Sequence, residues 1–143
     1  MSIEFTIPIK PCIKKNSQQI VYVPSNYGSV ISVKTKKPVS PRIIQNERYR
    51  NYEKACKEYV PESNIDYPVN VKAVFYMPTR RRIDLSNLLE ALHDIMTKYN
   101  CILDDNCNII YSVDGSCVKY DKENPRTEVE ITKLEGVITI KDM

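Results

Sequence analysis

With 143 residues, the chain has room for one domain with a real core and not for two ordinary ones. Its 42% hydrophobic content excludes a disordered polyelectrolyte, and no apolar run approaches the ~20 residues that a membrane-spanning helix needs. The net charge of +3 is modest but uneven, with eleven Lys/Arg against five Asp/Glu in residues 1–62 and five against nine in residues 103–143. A basic half beside an acidic segment suits a polyanion binder with a local acidic site, and a charge-mixed surface without a partner suits the same numbers.

The opening MSIEFTIPIK has no basic-then-apolar signal pattern, so a cytoplasmic protein is expected. Five cysteines without a CxxC pair agree, reading as thiols of a reducing compartment, several of them buried. Cys101 and Cys107 bracket an Asp-Asp pair, but a single histidine, His93, makes a structural zinc site unexpected.

In chain order, Ile3, Phe5, Ile7 and Ile9 alternate with polar residues as in a half-buried strand, and Pro8 makes it an edge or ends it. A basic loop, Lys10–Ser17, follows. Ile20–Val23 and Val30–Val33 predict a hairpin turning through Ser25-Asn26-Tyr27-Gly28, with Lys34, Lys36 and Lys37 just beyond. Ser40-Pro41 resembles a helix start, predicting a helix from about Arg42 to Tyr59 with Tyr49, Tyr52, Cys56 and Tyr59 as its apolar stripe. Val69–Met77 predicts a strand with Val69, Val71, Ala73 and Phe75 on one face.

Arg80-Arg81-Arg82 leads into Asp84, where a second helix begins and runs to about Tyr99. Leu85, Leu88, Leu89, Leu92, Ile95 and Met96 form its stripe, leaving Asn87, Glu90, Asp94 and His93 opposite. A polar bend at Asp104-Asp105-Asn106 precedes a strand over Ile109–Val113 and a tight turn at Asp114-Gly115. Val129–Thr132 and Val137–Ile140 read as closing strands. The sum is a single α+β domain over residues 1–143, a small mixed or antiparallel sheet with two main helices packed on it.

Asp84 at a helix start has a plain structural reading, an N-cap whose carboxylate accepts backbone N–H bonds. Asp104-Asp105 likewise has a plain one, a water-exposed turn. The alternative joins them around Mg²⁺, which takes carboxylate oxygens and keeps most of its waters. Such an ion polarises a phosphate and supplies hydroxide near neutral pH, with the arginine run contributing phosphate contacts.

The stretch Met77–Val113, MPTRRRIDLSNLLEALHDIMTKYNCILDDNCNIIYSV, resembles the RusA family of Holliday-junction resolvases. That family's pattern is a strand ending in proline, a basic run, Asp-Leu-Asp-Asn opening a helix, and a later Asp-Asp turn. The Lys-Lys-Asn-Ser loop at 14–17 is similar to its opening.

The resemblance implies a homodimer, often encoded by phages, that nicks opposed strands of four-way DNA junctions with Mg²⁺ or Mn²⁺ in recombination and repair. It places the motif's first aspartate at Asp84, its asparagine at Asn87 and its later pair at Asp104 and Asp105, with Asp105 at the position usually assigned to catalysis. Lys14, Lys15, Asn16, Lys36, Lys37 and Arg80, Arg81 and Arg82 are the expected DNA contacts.

Two positions depart from the pattern: the second motif aspartate is Ser86, and a lysine expected three residues after the asparagine is Glu90. Glu90 shares a helix face with Asn87 and could restore the missing carboxylate, making it a candidate metal ligand with Asp84, Asp104 and Asp105. The rival expectation is a protein that binds junctions without cutting them.

Overall fold

The computed structural model describes residues 1–14, 18–24, 30–31, 38–45 and 47–143, with backbone alone at 18–21, 23, 30–31 and 41–45. The first strand, β1 (Ser2–Ile7), alternates as its sequence predicts and stops before Pro8. Among the described residues it is an edge, pairing antiparallel with β8 from Ser2↔Thr132 to Ile7↔Thr127.

The region predicted as a hairpin and a long helix folds otherwise. Strand β2 (Gln18–Pro24) and the two-residue β3 (Val30–Ile31) both pair with β4 (Pro38–Gln45), giving a three-stranded sheet in the order β2-β4-β3. Ser40-Pro41 therefore lies in a strand, and residues 20–23 and 30–31 each pair with β4 and not with one another; 25–28 and 32–33 of the predicted hairpin lie outside the described residues. Pairing from Gln18↔Gln45 to Pro24↔Val39 outweighs the local helix-start signal. Pro41 stands opposite Tyr22 of β2 in that ladder.

The first helix is shortened accordingly to α1 (Glu47–Cys56). Its stripe is correct for Tyr49, Tyr52 and Cys56, which are buried, whereas Tyr59 lies beyond the helix and is exposed. Tyr99 Oη donates to the Glu53 carbonyl at 2.8 Å, and Lys98 pairs with Glu53, so α1 is fastened to the end of α2.

Strand β5 (Val69–Met77) spans the predicted residues, with Val69, Val71, Ala73, Phe75 and Met77 all buried on the helix side. It organises the larger, mixed sheet, ordered β1-β8-β5-β6. On one side it pairs antiparallel with β8 (Arg126–Lys133); on the other it meets β6 (Ile110–Ser112) and then β7 (Cys117–Tyr120), both parallel.

The Asp114-Gly115 turn forms, with Gly115 at φ 87°, a conformation favoured by glycine. It does not close a hairpin: it steps the chain outward between two strands that run the same way. Asn70 pins that step, its Oδ1 accepting from Ser112 Oγ at 2.6 Å and from the Asp114 N–H at 2.8 Å.

Helix α2 (Leu85–Lys98) packs Leu88, Ala91, Leu92, Ile95 and Met96 onto the sheet beside Phe75, Ile102 and Ile131. Burial of each large apolar side chain is worth roughly 1.5–3 kcal/mol. The predicted strand at 137–140 is absent. Residues 140–142 form a 3-10 turn instead, because Thr139 caps it: its hydroxyl donates to Asp142 Oδ2 at 2.8 Å, and Ile138 and Ile140 are exposed. The architecture is α+β, a mixed sheet with two helices. All five cysteines are free thiols, Cys56 and Cys101 fully buried, and no helix of the described residues is long and apolar enough to cross a membrane.

Candidate active site

Asp84 caps α2 with its backbone: extended at φ −80° and ψ 123°, its carbonyl accepts from the N–H groups of Asn87 at 3.1 Å and Leu88 at 3.3 Å. Its side chain makes no capping bond. The exposed carboxylate instead meets the Asn87 amide, Nδ2 to Oδ2 at 3.4 Å. The plain reading thus holds for the backbone and leaves the carboxylate available at the positive end of a helix.

The Asp104-Asp105-Asn106 bend divides the labour between its carboxylates. Asp104 accepts the Asp105 N–H at 2.8 Å and Asn106 Nδ2 at 3.0 Å, while Asn106 Oδ1 accepts the Asn108 N–H at 2.9 Å. This is an Asx turn, a short side chain imitating a backbone turn. Those bonds, the backbone one first, hold the Asp104 carboxyl below the usual carboxylate range. Asp105 is held above it by desolvation first, then by the bond with Asp104 and the negative charges of Asp94 and Asp104. A carboxyl crowded by other carboxylates is one that a cation would relieve.

Glu90 and Ser86 are exposed on α2. Asp94, a turn beyond Glu90, is taken by Lys14, Nζ to Oδ2 at 2.8 Å. Lys14 is held above its ordinary pKa by that bond first, with the charges of Glu90 and Glu53 adding to it. His93, placed by periodicity on the polar side, is instead half-buried; its Nε2 is enclosed without a hydrogen-bond partner among the described residues. Burial pushes its imidazole down to about 4.

Arg80, Arg81 and Arg82 are exposed in the connection into Asp84, and the Arg80 guanidinium lies 4.7 Å from the Tyr120 ring centroid. Lys15, Asn16, Lys34, Lys36 and Lys37 lie outside the described residues.

For a divalent ion, the chemistry of the donors fits: Asp84 and Asp105 offer hard carboxylate oxygens, and Mg²⁺ needs only one or two beside its waters. Among the described residues no three His, Cys, Asp or Glu side chains come close enough together to hold a metal ion by themselves. Sequence reasoning missed the engagement of Asp94 by Lys14, which nothing local signals, and the role of Asn106, which the Asp-Asp-Asn order could have shown.

The family model for endodeoxyribonuclease RusA matches residues 30–132. The chain is also similar to the crossover junction endodeoxyribonuclease RusA of Aquifex aeolicus, 30% identical over 74 residues. That match covers 49% of this chain and 59% of the relative, so it spans less than two thirds of the relative's length. The matched region carries β5, the arginine run, the Asp84 cap and the Asp104-Asp105 bend, and the chain belongs to the RusA family.

Proposed function

We propose that this chain, acting as one domain and as a homodimer, is a divalent-metal-dependent endodeoxyribonuclease that resolves four-way DNA junctions by paired nicks. The observation that carries the reading is Asp84, an exposed carboxylate at a helix start that does no capping, two residues after a run of three arginines in a RusA-family chain.

Asp84 and Asp105 are the residues that would hold Mg²⁺ or Mn²⁺, with Glu90 serving it through hydrogen bonds to bound water. When bound, the ion supplies charge to the scissile phosphate and lowers the pKa of its water. Asn87 orients the Asp84 carboxylate through its amide. Asp104 shapes the bend from which Asp105 projects. The arginine run, with Lys14, Lys15, Asn16, Lys36 and Lys37, contacts backbone phosphates, which gives salt-dependent affinity and little base readout. A two-fold axis would set two such sites at a fixed separation, the source of junction preference.

Ser86 and Glu90 favour a second reading, a protein that binds junctions and does not cut them, because the helix carries one motif carboxylate fewer. Cleavage of an end-labelled synthetic four-way junction, with a matched duplex control, separates the two. Paired nicks in Mg²⁺ or Mn²⁺, absent in EDTA and in Asp84→Asn, support the nuclease. Tight binding in EDTA with no product in either metal supports the binder and sinks the nuclease.

A further inference from the structure

Two arginines stack on tyrosines near one end of the larger sheet, and they differ in what they leave free. Arg126 lies 3.7 Å from the Tyr76 centroid, and its guanidinium is spent. Nε donates to Glu128 Oε1 at 3.2 Å, and Nη1 donates to Asp121 Oδ2 and the Asn124 carbonyl, both at 2.9 Å. Arg80, 4.7 Å from the Tyr120 centroid, has no carboxylate partner among the described residues and is exposed, as is the ring it covers.

The two pairs also lie on opposite faces. Tyr76 alternates with buried Phe75 and Met77, so it stands on the face away from the helices. Tyr120 is in register with Met77, and Val118, in register with Phe75, packs against the core. Tyr120 therefore stands on the helix side, where α2 starts at Asp84, and Arg80 precedes Asp84 by four residues in the connection from β5. The arginine without a carboxylate partner thus belongs to the face on which α2 packs, and the engaged one to the opposite face.

We propose that Tyr120 and Arg80 form a phosphate-binding site for the DNA backbone next to Asp84, with Tyr120 as its positioning residue. The ring supports the flat face of the guanidinium, and the N–H groups at the guanidinium edge stay free to grip a phosphate as a fork. An unsupported arginine in a run of three would have to order a long side chain at the moment of binding, and the stack completes that ordering beforehand. Lysine cannot substitute at position 80, because its ammonium has neither the stacking face nor the fork. This inference rests on the reading of the chain as a DNA-binding protein.

The test is binding of a labelled four-way junction in EDTA across a salt series, for the wild type, Tyr120→Phe, Tyr120→Leu, Arg80→Lys and the double variant Tyr120→Leu/Arg80→Lys. Tyr120→Phe keeps wild-type affinity, because the ring remains. Tyr120→Leu weakens binding about three- to tenfold, the size of an exposed cation–π contact with the order it imposes. It also flattens the slope of log affinity against log salt by up to about 0.9, one phosphate contact. Arg80→Lys costs a similar factor, and the double variant costs little more than either single one.

Unchanged affinity and slope in Tyr120→Leu overturn the proposal, as do losses that simply multiply in the double variant. If Tyr120→Leu does not fold, Tyr120→Thr, which suits an edge strand, takes its place with the same expectations. A wild type with no salt-sensitive junction binding overturns the DNA-binding reading itself. Wild-type binding with an inert Tyr120 sinks only the platform.

Discussion

Lys14 Nζ lies 2.8 Å from Asp94 Oδ2, joining the loop after β1 to the exposed side of α2 across eighty residues of sequence. Both side chains are about a third exposed, so the pair contributes only ~0.5 kcal/mol to stability. Its greater consequence is electrostatic. Asp94 is already paired with a cation and is a poor candidate for binding a divalent ion, yet its negative charge remains one cause of the raised pKa of Asp105.

Asp94→Asn is therefore expected to leave junction cleavage at neutral pH within about threefold of wild type, while Asp84→Asn lowers it at least ~100-fold. The same substitution removes one of the negative charges that raise the Asp105 pKa, which favours ionised Asp105. A raised carboxyl pKa means that activity is lost as pH falls through that value. The acid limb of the rate profile therefore moves to lower pH in Asp94→Asn. A limb that stays in place, or moves up, would show that Asp105 does not control it.

The Asp104-Asp105 bend makes a sharper distinction than two adjacent carboxylates allow by themselves. Asp104 acts through its acceptor oxygens in the turn, a role that asparagine can share. Asp104→Asn should keep cleavage within about tenfold, and Asp104→Ala should lose more, because the turn loses its acceptor. Asp105→Asn should lose activity as completely as Asp84→Asn and should weaken Mn²⁺ binding measured by titration. Equal, near-total loss in Asp104→Asn and Asp105→Asn would mean that both oxygens hold metal.

Glu90 carries the question of the altered motif. With Ser86 in place of an acid, the remaining carboxylates three residues from Asn87 are Asp84 at the cap of α2 and Glu90 within it. Glu90→Gln should abolish metal-dependent cleavage while leaving junction binding in EDTA intact. Restoring the family's acid in Ser86→Asp should then rescue Glu90→Gln at least tenfold. Full activity in Glu90→Gln would remove Glu90 from the metal site.

The elements that position the site were legible where their periodicity was long and agreed with burial. The 14 residues of α2 and the nine of β5 repeat their apolar positions clearly, and Asp84 follows from where those two patterns meet. The 38–45 segment was misread because Ser40-Pro41 is a local signal, while its fate is decided by non-local pairing with 18–24. Strand β7 was missed because Cys117-Val118-Lys119-Tyr120 is short, with no fully buried residue, and its parallel pairing with β5 makes it a strand. At the site, the carboxylates could be named from sequence, but not which of them would be engaged. Engagement depends on the backbone direction at the bend and on Lys14 arriving from the other end of the chain.

His93 offers a test of the packing behind the site. Its imidazole is pushed down to about 4 from 6.5 by burial, only partly opposed by Asp94. A histidine with a depressed folded pKa is neutral in the native protein and takes up a proton on unfolding at mildly acid pH. Between those two values the unfolded state binds more protons, so stability rises with pH through the window and falls as pH drops from about 6.5 toward 4. Discounted for the partial exposure of the ring, the loss between about pH 7 and about pH 5 is roughly 1–2 kcal/mol. Urea unfolding at the two pH values measures it. His93→Met fills similar space without a titrating group, and its loss over the same interval should be smaller by about that amount. Equal losses in the two proteins would mean that the imidazole reaches water in the native state, and that α2 packs less closely at His93 than its enclosed Nε2 indicates.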